Sequence, residues 1–389
     1  MQSERRRILE LVEKGTISAQ EAIILLEALE KDGNTSRSIL EKSQNTEDTI
    51  FKERDKQDSD QQSKSDSDFT KHFQEEMHDF RKDLSQIGTV FMDMMNTAVK
   101  KVKEFDVSSP FGEKVEFSHT EDLKAADVQS ISVDLPNGNF TLEPHDSEDI
   151  NVVCQVKVPF VNDSEEETRT QFLNQFVVKN EGGTLRIISQ LKLAQVNVKV
   201  YMPQQFTNKI SVKLVNGSAT IRDITMEELK VKTLNGAIKG STLAFNKAAL
   251  DSSNGSIELM LAKGKELEAE TLNGRVYIDG AFEEVDASSV NGHVVVTTTS
   301  TKSSKIKAHT VAGAVELYVP STMSLSGKIS TNFGKVDVGI QDASKTESQD
   351  QFLSKVVRFD KDVEGANRLF IEGESKTGAV LIRYTTTKE

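Results

Sequence analysis

Side chains suited to catalysis or metal binding are few in this chain. Its six histidines are scattered, and no two have the spacing of a metal-binding motif such as H-E-x-x-H. The single cysteine, Cys154, lies in an alternating valine run typical of a strand. One thiol allows neither an intrachain disulfide nor a thiolate-rich metal site. With no phosphate-loop or nucleophile-elbow motif either, the sequence predicts a protein that is not an enzyme and that uses no cofactor or metal.

Two further functions are weaker candidates. A polysaccharide-cleaving β-helix enzyme ranks lowest, because its paired acids should recur at one repeat position. The candidate acids, which do not recur in this way, are Glu258, Glu268, Asp279 and Asp286. An adhesin-like module that binds glycans should carry a column of aromatic residues, for which Tyr277 and Tyr318 are the obvious candidates.

Charge and hydropathy exclude further classes. The 389 residues include 48 Lys and Arg against 61 Asp and Glu, a net charge of -13, which argues against nucleic-acid binding. No stretch approaches the ~18 consecutive apolar residues of a membrane span, and the N-terminus lacks the apolar core of a secretory signal. We therefore expect a cytoplasmic protein, peripheral at the inner face of the membrane, with the cell surface as the alternative location.

The elements that would position any site are dominated by a repeat. From Gly217 onward, a series of seven glycines follows at intervals of 19, 19, 19, 18, 21 and 21 residues. The first five units are Asn216-Gly217, Asn235-Gly236, Asn254-Gly255, Asn273-Gly274 and Asn291-Gly292, followed by Ala312-Gly313 and Phe333-Gly334. Alternating apolar residues flank each glycine, and Thr or Ser stands three positions before it in six successive units. The same template fits Gly138, Gly183 and Gly378, which predicts a β-repeat domain over residues 115–387.

Two architectures satisfy this pattern. In a β-solenoid, the residues on either side of the glycine are successive sides of one coil, and coils stack ~4.8 Å apart. In an antiparallel β-hairpin meander, each Asn-Gly forms a tight turn with positive φ. We favour the solenoid, because a meander gives no reason for a fixed Thr or Ser column.

Residues 1–33 predict an αα-hairpin. Gly15 ends the first helix, and Ser18 with Glu21 forms a capping box for the second. Its apolar positions include Ile8, Leu11, Val12, Ile23, Leu26 and Leu29. So few residues cannot bury a sufficient core alone, so we expect this module to bind itself, the rest of the chain or another protein. Residues 34–68 are rich in Ser, Asp, Gln, Lys and Glu and predict a disordered polar linker.

Residues 69–105 predict one long amphipathic helix. Apolar residues recur every 3.5 positions, as in a coiled coil. This stripe comprises Phe73, Met77, Phe80, Leu84, Ile87, Phe91, Met94 and Ala98. We expect the stripe to pack on its own kind or on the neighbouring domain. The alternative is a helix lying on an anionic membrane surface, with nearby Lys and Arg facing the lipid headgroups.

Two parts of the chain resemble known families. The run from Arg7 to Leu29, RILELVEKGTISAQEAIILLEAL, resembles the N-terminal module of YvlB/LiaX-type proteins of Gram-positive bacteria. That module is similar to short SHOCT-like oligomerisation domains. The serial Asn-Gly units, ISVDLPNGNFTL at 131–142 and VKVYMP at 198–203 resemble the DUF4097 toastrack domain, which is also described as adhesin-like.

The resemblance implies a function in the response to cell-envelope stress. Members of the family are associated with membrane proteins that carry PspC- or LiaF-like domains, and they have no known catalytic residues. LiaX-like relatives are linked to sensing of membrane-active peptide antibiotics and are found at the cell surface. The resemblance therefore implies a non-enzymatic scaffold or sensor that binds a membrane-associated partner, the membrane surface, or both.

Overall fold

The structure is a computed structural model that describes residues 113–161, 164–204, 208–350 and 354–385. The predicted hairpin of 1–33, linker of 34–68 and helix of 69–105 lie outside these residues. In the described part, 23 strands form one continuous hydrogen-bonded sheet. A 3-10 turn spans Ala125–Asp127, and the helix α1 spans Glu165–Leu173.

The first strands are β1 (Glu113–Lys124), β2 (Ser130–Asn137), β3 (Phe140–Pro144), β4 (Asp149–Val161), β5 (Phe176–Glu181), β6 (Thr184–Ser189), β7 (Gln195–Met202), β8 (Lys209–Asn216), β9 (Ala219–Arg222), β10 (Glu228–Asn235), β11 (Ile238–Ser241) and β12 (Ala244–Asn254). The remaining strands are β13 (Ile257–Asn273), β14 (Val276–Asn291), β15 (Val294–Thr298), β16 (Lys305–Ala312), β17 (Val315–Val319), β18 (Ser324–Thr331), β19 (Val336–Val338), β20 (Ser344–Asp350), β21 (Ser354–Lys361), β22 (Arg368–Ser375) and β23 (Val380–Tyr384).

The repeat units stack as the coils of a solenoid. Equivalent residues of neighbouring units pair in parallel and in register, as Val231 does with Leu250 and Ile238 with Ile257. The prediction of a mainly β, solenoid-like fold is confirmed, and the repeat units do not form the alternative antiparallel meander. Inward-facing residues of both sides fill the interior between them. One such column, fully buried, is Val231, Leu250, Ala269, Ala287 and Ala308.

The repeat glycines form a column in which backbones touch. A Cβ placed on Gly255 would lie 1.9 Å from the carbonyl oxygen of Gly236, and one on Gly236 would lie 1.9 Å from that of Gly217. None of the five Asn-Gly glycines has the positive φ that a meander turn needs. Glycine is therefore required here by the closeness of the next coil.

The column of Thr and Ser satisfies those glycine carbonyls. Each hydroxyl donates to a glycine carbonyl of the neighbouring coil, as Thr233 does to Gly217 at 2.9 Å and Thr271 to Gly255 at 2.9 Å. These hydroxyl-bearing residues are nearly fully buried. Their other members are Ser252, Ser289, Thr310, Thr331 and Ser375.

The asparagines before the glycines form a second ladder on the surface. Each side-chain amide donates to the side-chain oxygen of the preceding asparagine, from Asn291 down to Asn216 at 2.8–2.9 Å per step. The ladder continues to Asn137 at 2.8 Å. In-register stacking is thus supported by side-chain amides as well as by the backbone.

The order of coils in space differs from their order in the sequence. Along the glycine column, Gly378 lies between Gly313 and Gly334. The last coil of the chain, β22 with β23, therefore inserts between β16 with β17 and β18 with β19. At the other end, β2 and β3 lie between two pairs of strands. Strands β6 and β7 pair with them on one side, and β8 and β9 pair with them on the other.

Antiparallel strands close both ends of the stack. At the C-terminal end β21 pairs with β18 and β20 with β21; at the N-terminal end β4 pairs with β7 and β1 with β4. The predicted repeat unit at Gly183 is wrong, because β5 and β6 form an antiparallel hairpin there. Gly182 and Gly183 both have positive φ, 58° and 80°, so this turn is a true hairpin turn.

We predict that Thr271→Val destabilises the fold by about 1–2 kcal/mol, because it removes the donor to a buried carbonyl with little change of shape. Urea unfolding of the full chain measures this change. Thr220→Val, on the outer surface of β9, is the matched control and should change stability by less than about 0.5 kcal/mol. Equal effects of the two substitutions would contradict the proposed function of the hydroxyl column.

Candidate binding surfaces

Stacking in register turns the outward side chains of successive coils into straight rows. Two faces result. The first face comprises the outward residues of β8, β10, β12, β16, β22, β18, β21, β20 and the C-terminal halves of β13 and β14. The second face comprises those of β7, β3, β9, β11, β15, β17, β23, β19 and the N-terminal halves of β13 and β14.

The corner at the end of the second face carries exposed apolar residues. Met260 is 48% exposed and Leu261 is 68% exposed. Leu261 also has a φ of 54°, in the left-handed region that bulky side chains avoid. The equivalent residues of the two preceding coils, Asp223 and Thr242, have the same φ but polar side chains.

This corner, Met260 with Leu261, combines two local costs. An exposed leucine gains little from burial, and the left-handed conformation costs roughly 1–2 kcal/mol for a residue with a Cβ. The positive φ recurs in three coils and belongs to the corner itself, so what sets Leu261 apart is an exposed apolar side chain where the two preceding coils have polar ones. The arrangement suits contact with an apolar surface of another molecule.

A groove of about 530 Å³ lies on the first face, near the C-terminal end of the stack. Its walls come from β16, β18, β20, β21 and β22. The cations that line it are Lys305, Lys307, Lys328 and Arg358, against the carboxylates of Asp360 and Glu372.

Charge in this groove is unbalanced. Asp360 is already paired with Arg368 at 2.7 Å. Among the described residues, no carboxylate lies within 4 Å of the charged nitrogens of Lys305, Lys328 or Arg358. Phe370, 56% exposed, stands between Lys305 and Ser326 on the groove floor. A molecule that binds in this groove could therefore place acidic groups on the free cations and cover the Phe370 ring at the same time.

The two tyrosines proposed as a glycan-binding column do not stack. Tyr277 pairs with Val295, and Tyr318 pairs with Thr297, so the rings belong to different rows. Arg275 covers the Tyr277 ring at 4.8 Å. Burial and a 3.0 Å hydrogen bond to Glu316 raise the pKa of Tyr318.

The other chemically interesting side chains have structural environments. Cys154 is buried in β4, and burial raises its pKa to about 12, so its thiol is not a nucleophile at neutral pH. His293 accepts a hydrogen bond from the Ala314 backbone at 3.3 Å, and His309 lies 3.9 Å from Glu374. In the described ranges, no group of three or more His, Cys, Asp or Glu is placed to hold a metal ion.

The predicted interaction residues of the hairpin, Ile8 to Leu29, and of the stripe, Phe73 to Ala98, lie outside the described residues. The Asn-Gly residues are inside them and form the amide ladder and the glycine column. Sequence reasoning missed the corner at Met260 and Leu261, because its conformational strain has no signature in composition. It also missed the groove, because the strands that line it are not in sequence order.

Comparison with known families places the chain. The Toastrack DUF4097 family model matches residues 128–364, well over half of the chain. The chain belongs to the toastrack family. A SHOCT-like domain model matches residues 3–34, ahead of the toastrack domain.

The chain is also similar to individual proteins. The chain is 29% identical to the protein YvlB of Bacillus subtilis, described as uncharacterised, over 99% of this chain and all of that one. A candidate adhesin of Bacteroides fragilis with a solved structure is 16% identical, with a TM-score of 0.39 over 69% of this chain and 97% of that one. A candidate lipid-binding protein of Parabacteroides distasonis is 14% identical, with a TM-score of 0.33 over the same shares.

Hydropathy of the toastrack domain gives one further finding. In the part of the chain that the structure describes, no helix is both long and apolar enough to cross a membrane.

We predict that Leu261→Asn stabilises the full chain by about 0.5–1 kcal/mol, since asparagine tolerates the left-handed region and leucine does not. The midpoint of urea unfolding reports this change. Met260→Asn is the control, because it removes an exposed apolar side chain from the neighbouring residue without a positive φ, and it should give no gain. Loss of stability with Leu261→Asn would show that the leucine is a structural residue.

Proposed function

We propose that this protein is a non-enzymatic scaffold or sensor of the cell-envelope stress response. Its toastrack domain binds a membrane-associated protein partner of the PspC- or LiaF-like class through the corner at Met260 and Leu261. Its N-terminal hairpin and the 69–105 helix hold the assembly together or against an anionic membrane surface. The observation that carries the proposal is the exposed, strained leucine on a rigid stack.

Three features support a binding function over a catalytic one. The recurring polar residues of the repeat, the hydroxyl column and the amide ladder, are hydrogen-bonded to the neighbouring coil. The buried thiol of Cys154 is protonated at neutral pH. The family resemblance supplies the class of partner, and the SHOCT-like match to residues 3–34 supports an N-terminal module for association.

We expect the double substitution Met260→Ser with Leu261→Asn to weaken binding of the full chain to such a membrane protein by at least about tenfold, because it removes the apolar contact area. The partner would be purified in nanodiscs and titrated by interferometry. Leu193→Asn is the matched control, since Leu193 is 39% exposed at the other end of the stack. Equal affinity of all three chains would remove the corner from the proposed interface.

Membrane association is tested separately with the stripe of the 69–105 helix. We expect the full chain to sediment with anionic vesicles, and Phe80→Asp with Phe91→Asp to reduce the sedimented fraction several-fold, since charge on the apolar side prevents insertion. Ser63→Asp with Ser65→Asp adds the same charge in the linker as a control. If neither the parent chain nor the control sediments, the stripe does not bind the membrane and packs against protein instead.

A further inference from the structure

The middle row of the first face has an unusual order of charges. Its six consecutive members, one on each of β13, β14, β16, β22, β18 and β21, are Glu268, Asp286, Lys307, Glu372, Lys328 and Arg358. Their signs read minus, minus, plus, minus, plus, plus. The charged row is bounded by uncharged residues at both ends, Ala249 on β12 and Thr346 on β20.

This order is complementary to itself when it is reversed. A two-fold axis parallel to the strands, between β16 and β22, would place the first member of one row against the last member of the other. Glu268 then faces Arg358, Asp286 faces Lys328, and Lys307 faces Glu372, in each case with opposite signs. Each of these three contacts occurs twice in the dimer, so all six contacts pair opposite charges. An isologous interface requires a surface that is complementary to itself in this way.

The rows on either side add one like-charge contact, Glu266 against Asp360, in which each carboxylate is already paired within its own chain, with Lys247 at 3.0 Å and Arg368 at 2.7 Å. The contacts nearest the axis are favourable. On one side, Lys305 faces Phe370, which allows a cation to lie over the exposed ring. On the other side, His309 faces Glu374. The groove near Lys328 and Arg358 is the space that the partner's Glu268 and Asp286 would enter.

The single chain leaves the row partly unsatisfied. Glu268 stands directly beside Asp286, and Lys328 directly beside Arg358, so like charges are neighbours in register. Such pairs are unfavourable across adjacent strands. The only ion pair within the row among the described residues joins Lys307 and Asp286 at 3.9 Å.

We propose that the first face is a self-association surface, on which a second copy of this chain docks with two-fold symmetry through the row from Glu268 to Arg358. Strand spacing makes the row about 24 Å long, five steps of ~4.8 Å. The surface is distinct from the corner at Met260 and Leu261, so dimerisation and partner binding do not compete.

Charge reversal of the full chain tests the proposal. Glu268→Lys with Asp286→Lys turns the four outer contacts of the dimer into repulsion, as does Lys328→Glu with Arg358→Glu. Each pair should weaken dimerisation by more than about 100-fold in light scattering and sedimentation at low salt. Lys199→Glu with Lys239→Glu, on the second face, makes the same charge change as the latter pair and should leave the dimer intact.

Mixing supplies a result that a folding defect could not give. The two charge-reversed chains have complementary rows, so an equimolar mixture should recover a heterodimer with affinity close to that of the parent. The chain that carries all four substitutions is again self-complementary and should dimerise alone. Failure of both recoveries would overturn the proposal, as would a parent chain that is monomeric at every concentration.

Cross-linking separates this surface from association through the N-terminal residues. Ala249→Cys and Thr346→Cys, in separate chains, should be joined by a bismaleimide of about 10 Å when mixed, since the axis brings these positions together. Ala249→Cys alone should give no cross-link, and the buried Cys154 should not react. A dimer that yields no cross-link in the mixture, and that both charge-reversed chains retain, would place association elsewhere and refute the row.

Discussion

The whole domain depends on how closely one coil approaches the next at the glycine column. The carbonyl of each repeat glycine occupies the space where a side chain of the next coil would begin, with a Cβ on Gly292 only 1.8 Å from the oxygen of Gly274. Backbone hydrogen bonds between the parallel strands set the axial spacing of the coils, and glycine permits that spacing at the turn. The spacing in turn aligns the buried hydroxyls with the carbonyls, the asparagines with each other, and the apolar columns in the interior.

A stack held this way has a problem at its ends, where unpaired strands would bind other chains. The chain covers both ends of the stack in the same way. It runs past a coil, builds antiparallel strands, and then returns to complete a parallel coil. At the N-terminal end, Phe172 of α1 packs against Phe117 at 5.3 Å and Phe176 at 5.0 Å. At the C-terminal end, the buried Lys361 amine donates to the Ser321 carbonyl and the Tyr384 hydroxyl at 2.7 and 2.9 Å.

Much of the interior could be predicted from the sequence, because the interior is local and periodic. The glycine spacing, the Thr or Ser three residues earlier and the alternating apolar residues all describe one coil and its copy. The Gly183 unit failed because its apolar alternation is the same in a hairpin, and only the Gly-Gly pair with two positive φ values separates them. The strain at Leu261 could not be predicted either. The residues at this position differ in type from coil to coil, as Asp223, Thr242 and Leu261, and the sequence does not show that they share a positive φ.

The surface could not be predicted, because it depends on which coils are neighbours. In sequence order, β18 would follow β16, and the middle row would read Glu268, Asp286, Lys307, Lys328, Arg358. That row has an odd number of members, and a two-fold axis would set Lys307 against its own copy. Insertion of β22 adds Glu372 between Lys307 and Lys328 and moves the axis to a gap between strands. The late return of the chain therefore closes the fold and also completes the charge pattern of its outer face.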